Sequence, residues 1–349
     1  MITEQDIDKW IDTARIPSDE EVEAAGRRFD RRIRRLRTRR RVLWSVSAAA
    51  AVMIPLFVAL YWLREEPRTP APQVAEVVKT AQPITEPTLI LSDGHSVNLN
   101  EEIADTAMRA ERLHWETGHV KYDTLTGDTT SPVREIQYNT LVIPAGHTYA
   151  VTLADGTTVT LNAGTRLRYP VDFIGDTREV FLEGEAYFRV TKTGKPFEVH
   201  VSASAVRVYG TSFNVKQQDS LVETVLVEGS IGFRSPGREE IRVSPGELVT
   251  YDAVRKNIQV QEVDPYYATA WLDGVFRYSD KGLDAILKDL SAWYGVRFES
   301  RVDAAAIKLT MNLSKDTPVE EAVSFLESMT DCEIMKEKEV YIIKGKERN

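Results

Sequence analysis

The spacing of hydrophobic residues changes along the chain and divides it into regions of different secondary structure. In residues 1–41 apolar positions recur every three or four residues, which predicts short amphipathic helices. Residues 42–63 are uncharged and mostly apolar. From about Thr88 to Val263, apolar and polar residues alternate and β-branched types are frequent, which is typical of strands. Residues 266–345 combine both spacings and predict a small two-layer α+β domain.

Two helices are predicted in the N-terminal segment, separated by Pro17, and each carries one apolar stripe. The stripes consist of Ile7, Trp10, Ile11 and Ala14 in the first helix, and of Val22, Phe29, Ile33 and Leu36 in the second. Such a short segment cannot bury a self-sufficient core, so its stripes need a partner. That partner is either the other helix together with a protein, or the surface of a bilayer. The Trp10 stripe favours a groove on a soluble protein.

The uncharged stretch from Val42 to Leu63 has the length of a membrane-spanning helix. At about 1.5 Å per residue it crosses the hydrocarbon core of roughly 30 Å. Ten arginines lie between Arg27 and Arg41, and almost no positive charge follows the span. The positive-inside bias therefore predicts a cytoplasmic N-terminus and an external C-terminal bulk. A cleaved signal peptide is the main alternative, but the long basic region and the lack of a small-x-small site favour an uncleaved anchor.

Charge and composition narrow the possible partners. The chain carries a net charge of −9, 42% hydrophobic residues and 28% charged residues, which is a globular composition. A basic run in an acidic chain indicates either nucleic acid or the anionic face of a membrane. Because an apolar span follows directly, and no helix-turn-helix precedes it, we expect lipid contact and no direct nucleic-acid binding. The single cysteine, Cys332, excludes a disulfide framework and any Cys-rich zinc site.

A proline-rich linker and a β-rich region follow the span. The linker, residues 64–87, contains five prolines and reaches about 70 Å when fully extended. The segments LSDGHSVNLN (residues 91–100) and LADGTTVTLN (residues 153–162) repeat one pattern, and their Asp-Gly steps predict two hairpins. Many short strands over residues 88–263 predict an all-β, antiparallel sandwich or jelly-roll-like barrel.

The last region, residues 266–345, is predicted to have the order β-α-β followed by β-α-β-β. The hydrophobic spacing predicts helices over 283–294 and 319–329, and strands at 274–278, 296–298, 307–313, 332–335 and 340–343.

Residue patterns for catalysis or ligand binding are weak. No Walker loop, GxSxG elbow, HExxH or GxGxxG occurs. The closest histidine pair, His114 and His119, lacks a third ligand at a recognisable spacing. We therefore predict no enzyme activity, no cofactor and no metal. One local pattern is ambiguous: in Gly210-Thr211 a hydroxyl follows a glycyl carbonyl, so a strained peptide there could be cleaved through an ester, although an ordinary turn is the simpler interpretation.

Several segments together resemble the FecR-like anti-sigma factors of the Bacteroidetes type. They are IPAGHTYAVTLADGTTVTLNAGTRLRYP (143–170), VFLEGEAYFRV (180–190), KPFEVHV (195–201), VYGTSFNV (208–215), LVEGSI (226–231), PGELVTYD (245–252) and the tail from Trp271 onward. The resemblance covers most of residues 88–345 in order.

The resemblance implies a single-pass regulator of the inner membrane. Residues 1–41 would contact a cytoplasmic extracytoplasmic-function sigma factor, through Ile7, Trp10, Ile11, Ala14, Phe29 and Ile33. The periplasmic part would receive a signal from a TonB-dependent outer-membrane transducer, whose signalling domain would contact a C-terminal domain similar to the secretin/TonB short N-terminal fold. Some relatives resemble self-cleaving proteins at the step that Gly210-Thr211 matches. The cytoplasmic segment is shorter than is usual in the family.

Two other classes of protein remain open at this point. The first is a membrane-anchored periplasmic module that binds carbohydrate or cell wall, with residues 88–263 on a proline stalk. The second is an anchored periplasmic hydrolase, which the missing catalytic motifs disfavour.

Overall fold

A computed structural model describes residues 84–99, 113–116, 119–122 and 136–346, which all belong to one structural unit, Thr80–Asn349. The predicted helices of residues 1–41, the span from Val42 to Leu63 and nearly all of the linker lie outside these described residues. Within the described ranges, no helix is both long and apolar enough to cross a membrane.

Most of the described chain forms two sheets of nine strands each. In spatial order the first sheet, sheet A, contains β16 (Ile241–Val243), β15 (Ile231–Arg234), β12 (Ser204–Val208), β11 (Phe197–Val201), β9 (Arg178–Glu183), β8 (Thr165–Pro170), β5 (Tyr138–Ile143), β1 (Thr88–Ile90) and β2 (Ser96–Asn98). Sheet B contains β18 (Asn257–Glu262), β17 (Glu247–Asp252), β14 (Leu221–Glu228), β13 (Ser212–Gln218), β10 (Glu185–Arg189), β7 (Thr158–Leu161), β6 (Tyr149–Thr152), β4 (His119–Tyr122) and β3 (Leu113–Glu116).

Along the chain, consecutive strands usually join a sheet in pairs, as a hairpin, and successive hairpins belong alternately to sheet A and sheet B. The expectation of a purely antiparallel arrangement is therefore wrong at two places: β9 pairs with β11 in parallel, and β4 pairs with β6 in parallel. The reason is the same in both cases. A single strand, β10 or β5, crosses to the opposite sheet, so the strands before and after it enter their own sheet in the same direction.

Side chains from both sheets meet in one apolar core, which makes this part a sandwich. The strands show the expected alternation; in β5, for example, every second residue is buried. Phe188 of β10 and Phe213 of β13 are fully buried and their rings stack at 5.1 Å between centroids. Phe197 and Phe233 contribute from sheet A to the same core. The period-two pattern thus identified a genuine two-sheet core.

Both predicted Asp-Gly hairpins are confirmed. They connect β1 to β2 and β6 to β7, and each pair is antiparallel. Gly94 and Gly156 have φ values of +89° and +81°, which glycine adopts without strain. The side chains of Asp93 and Asp155 each accept a hydrogen bond of 2.9 Å from the backbone N–H two residues later. The repeated sequence therefore encodes a repeated turn.

Residues 265–345 form a C-terminal lobe whose elements from residue 275 onward follow the predicted order, preceded by a short helix and a 3₁₀ turn that were not predicted. It contains α1 (Pro265–Thr269), a 3₁₀ turn (Ala270–Asp273), β19 (Val275–Gly282), α2 (Leu283–Tyr294), β20 (Arg297–Ser300), β21 (Lys308–Ser314), α3 (Val319–Met329), β22 (Cys332–Glu337) and β23 (Val340–Gly345). Strands β19 and β21 form one antiparallel pair, and β20, β23 and β22 form a second small sheet. Helices α2 and α3 pack on these strands and enclose a core separate from that of the sandwich.

Candidate functional site

A region rich in buried and half-buried charged side chains lies between the sandwich and the C-terminal lobe; we call it the junction. The sandwich contributes β10, β13 and β14 of sheet B, together with the turn after β7. The lobe contributes the 3₁₀ turn, β19, α2 and the residue that follows β21. Hydrogen bonds and ion pairs join the two parts across the junction. The junction is therefore the candidate site for communication between the two parts.

Asp289 of α2 is the centre of the largest polar cluster in the junction. Its Oδ1 accepts hydrogen bonds from the Lys216 ammonium at 2.5 Å and from the Gln218 amide at 3.0 Å, both on β13. Its Oδ2 accepts a hydrogen bond from the Tyr278 hydroxyl at 3.1 Å. One carboxylate of the lobe thus binds two side chains of the sandwich and one of its own lobe.

The charges of this cluster stabilise one another. Burial by itself lowers the pKa of Lys216, but the carboxylates of Asp289, Glu185 and Glu223 together raise that pKa above its ordinary value. The pKa of Tyr278 is raised well above its ordinary value, first by burial and then by the carboxylate of Asp289. Lys216 is consequently charged, and Tyr278 neutral, throughout the physiological pH range.

Lys315 forms the second cluster and has a different environment. Its side chain is only 5% exposed. The ammonium lies 3.9 Å from the ring centroid of Trp293, with the rings of Trp271 and Phe276 at 5.4 and 5.6 Å. It donates a hydrogen bond of 2.7 Å to the Asn162 side chain of the sandwich. Burial lowers the pKa of Lys315 to about 8, although the negative charges of Glu185 and Asp289 oppose that shift. An aromatic cage thus presents a cation to the sandwich.

A chain of hydrogen bonds continues from Lys315 across sheet B. Asn162 and Asn214 each donate an amide hydrogen bond to Glu185, at 2.9 and 3.0 Å. The Asn214 carbonyl oxygen in turn accepts a hydrogen bond of 3.2 Å from the indole of Trp271. Trp271 is buried, yet it belongs to neither of the two apolar cores. It connects the lobe to the sandwich.

The two parts are not closely packed at the junction. A cavity of about 800 Å³, partly open to the surface, lies between them and is lined by Glu185, Asn214, Tyr267, Trp271 and Asp289 among others. Two more exposed ion pairs cross between the sandwich and the lobe: Lys281 with Glu223 at 3.5 Å, and Lys288 with Asp219 at 2.8 Å. The interior of the sandwich, by comparison, is filled by interlocking aliphatic and aromatic side chains.

Comparisons with known proteins assign both parts. The sequence model described as FecR protein matches residues 139–232, and the model described as FecR, C-terminal matches residues 275–343. The chain belongs to the FecR-like anti-sigma factor family. Proteins of this family are regulators rather than enzymes, and they are generally anchored to a membrane.

Solved structures agree with this assignment. Two crystal structures of a candidate anti-sigma factor from Parabacteroides distasonis are similar to the chain, each with 29% sequence identity and a TM-score of 0.55. The matches cover 59% and 60% of this chain, and 98% and 99% of the solved chains. A comparison with curated proteins gave no match. In the junction, Asn162, Glu185 and Lys216 lie within the FecR match, whereas Trp271 lies between the two matched regions.

The Gly210-Thr211 step lies in the FecR-matched region, in the connection between β12 and β13. Thr211 is buried and its hydroxyl donates a hydrogen bond of 3.1 Å to the carbonyl of Ser230. A Cβ on Gly229 would lie only 2.8 Å from that hydroxyl oxygen and 3.1 Å from the Gly210 carbonyl oxygen. Gly210 has a φ of +147°, and a Cβ there would collide with the Lys192 side chain. Both sides of this step therefore require glycine.

Sequence reasoning missed a second charged cluster on sheet A. The ligand atoms of Glu179, Glu198 and His200 lie within 4.8 Å of one another, a spacing that could suit a metal. Arg207 donates a hydrogen bond of 2.6 Å to one Glu198 oxygen, and Arg234 contacts the other. The hydrogen bond to Glu198 raises the pKa of Arg207. Two guanidinium groups already neutralise the buried carboxylate, so we assign no metal to this cluster.

The Asp155 turn has a larger role than its sequence suggests. Its carboxylate binds Arg178 at 2.5 Å, and both side chains are buried. The same guanidinium donates to the carbonyls of Thr191 and Lys195, at 3.0 and 2.7 Å. The ion pair thereby fixes the loop whose Lys192 covers Gly210. The remaining predicted site residues, Ile7 to Ile33 on the two N-terminal stripes, lie outside the described part of the chain.

Proposed function

We propose that this FecR-like protein couples a TonB-dependent outer-membrane transducer to a cytoplasmic sigma factor of the extracytoplasmic-function class. Residues 1–41 bind the sigma factor, the segment from Val42 to Leu63 crosses the inner membrane once, and residues 64–349 act in the periplasm. The single observation that carries the proposal is the order of the chain. An arginine-rich segment and an apolar span precede the two family matches, which lie on the opposite side of that span.

The inner segment supplies a binding surface that suits a sigma factor. Its apolar stripes, around Trp10 and Ile33, are too small to form a core, so a protein groove is the partner that would bury them. The arginines next to the span fit the anionic cytoplasmic leaflet. The two predicted apolar stripes are thus assigned to protein contact, and the arginines that precede the span are assigned to lipid contact.

The C-terminal lobe supplies the contact with the transducer. Both of its small sheets end in unpaired strands within the described residues: β19 and β21 pair only with each other, and β20 and β22 each pair only with β23. An unpaired strand can accept a strand from another domain through backbone hydrogen bonds. A signalling domain with a free edge of its own is the kind of partner that such edges fit.

Cleavage at Gly210-Thr211 is a second part of the proposal. The buried hydroxyl and the two glycines that frame the step favour a reaction within the chain over attack by an external protease. The Thr211 hydroxyl would attack the Gly210 carbonyl carbon and release the Thr211 amine, and water would then hydrolyse the ester. Proteolysis in the membrane would afterwards release residues 1–41 together with the sigma factor.

The proposal is tested by purifying the full chain from its native host with a C-terminal affinity tag, in a Thr211→Ala background so that cleavage cannot separate the tag from residues 1–41. A sigma factor should co-purify, and Trp10→Asp should reduce its amount about tenfold or more because a charge replaces the largest side chain of the stripe. Val254→Asp, at a turn residue that is 78% exposed, is the control and should leave co-purification unchanged. If no sigma factor is found with the purified chain, the proposal is refuted. Glycan binding by the same preparation would favour the carbohydrate-binding alternative.

Cleavage has its own test, in which fragments of the full chain are counted on blots. Thr211→Ala should abolish two-fragment behaviour, and Thr211→Ser should retain it because the hydroxyl remains. Gly229→Ala should also abolish it, whereas Gly237→Ala should not. Gly237 has a similarly positive φ of +69°, but nothing lies within 4 Å of its Cβ position. An intact wild-type chain in cells would end the cleavage part and leave the sigma-factor part standing.

A further inference from the structure

We propose that the junction is a clasp: the C-terminal lobe swings away from sheet B as a rigid body, while both apolar cores stay folded. The moving contacts would be the Asp289 cluster, the caged Lys315 and the Trp271 indole. This motion goes beyond the proposed function, and only its use in signalling rests on that function.

The first argument is that each part has a complete core of its own. The buried apolar residues of the sandwich and those of the lobe form two separate clusters with no common member. Trp271 is buried between the two parts and belongs to neither cluster. Separating the parts would therefore expose Trp271 and a few neighbouring rings without opening either core.

The second argument is the chemistry of the contacts. Lys216, Asp289, Lys315 and Asn162 are charged or amide groups, and water can replace each of their partners when the junction opens. An ion pair that leaves a buried site also recovers the hydration that it gave up on closing. Apolar surface has no comparable compensation in water. The junction therefore loses less on opening than an apolar interface of equal area.

The third argument is the poor packing between the two parts. A cavity of about 800 Å³, partly open to the surface, lies between the facing surfaces. Over this part of the junction, the surfaces of the sandwich and the lobe do not touch even in the closed state. Dispersion contacts across this region are correspondingly fewer, which lowers the barrier to separation.

The fourth argument is a pivot in the chain. The main chain passes from β18 of the sandwich to α1 of the lobe through Val263 and Asp264. The Val263 N–H donates a hydrogen bond of 2.8 Å to the Gly246 carbonyl of the sandwich, whereas the Asp264 side chain accepts one of 3.0 Å from the Tyr266 N–H in α1. Backbone rotation between these two residues breaks neither contact, and α1, which has no buried residue, moves with the lobe.

A reversible lock across the junction can be built from existing positions. A Cβ on Gly164 of the sandwich would lie 3.8 Å from the Cβ of Ala292 on α2. This matches the usual separation of about 3.8 Å between the Cβ atoms of a disulfide. The double variant Gly164→Cys/Ala292→Cys should hold the clasp shut when oxidised and release it when reduced. The natural Cys332 is buried in the core of the lobe and does not compete.

Chymotrypsin cleavage at Tyr266 and Tyr267 measures the opening. Both side chains are exposed, but α1 must leave its position on the sandwich before the backbone fits a protease. The full chain is purified in detergent micelles, and mass spectrometry follows the fragment that begins after either tyrosine. Labelling of the Cys332 thiol, measured in parallel on chains that lack the engineered pair, reports whether the core of the lobe unfolds.

Oxidation of the cysteine pair should slow cleavage about tenfold or more, and reduction should restore the rate. Asp289→Asn should accelerate cleavage at least about tenfold without accelerating Cys332 labelling, because the clasp weakens while the core stays closed. Lys288→Met, which breaks only the exposed pair with Asp219, is the matched control on the same helix and should change neither rate.

Equal cleavage rates in the oxidised and reduced double variant would overturn the proposal. So would Cys332 labelling that rises in step with cleavage in Asp289→Asn, because the lobe would then unfold rather than swing. If Gly164→Cys impairs folding, Asp289→Asn and its control still decide between these outcomes. None of these results depends on a sigma factor, so failure of the clasp would leave the proposed function intact.

Discussion

The interior of the sandwich and the junction differ in the kind of interaction that holds them together. The interior is apolar and contains stacked rings such as Phe188 on Phe213. The junction consists of ion pairs, a caged lysine and a cavity. Apolar burial is lost entirely on opening, whereas polar groups exchange one partner for water. The sandwich therefore suits a fixed platform, and the junction suits a contact that changes.

The largest effect is expected in the sandwich interior. Phe213→Ala should lower the free energy of unfolding by about 3–5 kcal/mol, because it removes a fully buried ring and leaves a cavity. Urea unfolding of the full chain in micelles, followed by the β-sheet circular dichroism signal, measures this loss. Tyr209→Ala, at a side chain that is 55% exposed, should stay within about 0.5 kcal/mol. Similar losses of unfolding free energy for both variants would mean that the buried rings do not stabilise the sandwich.

A smaller effect is expected for the buried ion pair of the junction. Lys216→Met leaves the Asp289 carboxylate with Gln218 and Tyr278 only, and should lower the free energy of unfolding by about 1–3 kcal/mol. This loss of unfolding free energy is smaller than for an ion pair in a rigid interior, because the unpaired Asp289 carboxylate can be hydrated when the junction opens. The double variant Lys216→Met/Asp289→Asn should recover part of it. No recovery would show that the two charges are not coupled.

The caged lysine gives the junction a pH dependence of definite sign. Lys315 has a pKa near 8 in the folded chain, against an ordinary value of 10.5. As pH rises above about 8, the folded chain gives up this proton while the unfolded chain keeps it. The free energy of unfolding of the wild type should therefore rise by about 1–2 kcal/mol relative to that of Lys315→Met between pH ~7 and pH ~9.5. Unfolding curves of both proteins across that range measure the gain.

The free energy of unfolding of the wild type minus that of Lys315→Met should rise with pH, and a difference that falls or does not change would contradict this sign. Lys216 provides an internal comparison, because its raised pKa keeps it charged over the same range. The free energy of unfolding of Lys216→Met should accordingly change with pH in parallel with that of the wild type.

The smallest effect is expected at the edge of the junction. Lys288 and Asp219 are 48% and 69% exposed, so solvent screens their attraction. Lys288→Met should change the free energy of unfolding by less than about 0.5 kcal/mol, and added salt should reduce that change further. Melting curves at low and high salt measure it. A loss as large as that of Lys216→Met would show that burial does not separate the two kinds of ion pair.

The sequence predicted the local elements well because local patterns determine them. Period-two alternation identified the strands, and Asp-Gly identified the turns at Gly94 and Gly156. The helix of residues 283–294 followed from its spacing of apolar residues. Each of these signals lies within a few neighbouring residues, where backbone preference and burial act together.

Neither the pairing of the strands nor the junction could be predicted in this way. The parallel pair β9 and β11 depends on which sheet the single strand β10 joins, and no local residue determines that choice. Lys315 and Asn162 are 153 positions apart in the chain. Nothing near Lys315 distinguishes it from a solvated lysine at the end of a strand, because its cage forms only when distant segments fold together.

The difference between the two regions is tested most directly by hydrogen exchange in the unmodified full chain. Backbone amides of β10 and β13 that pair inside sheet B should exchange only through global unfolding. The amides of Tyr266 and Tyr267, in α1 beside the pivot, should exchange at least about a hundredfold faster, and their exchange should be insensitive to low urea because little surface is exposed on opening. Equal protection in both places, with the same urea dependence, would mean that the junction is as fixed as the sandwich and would contradict the account.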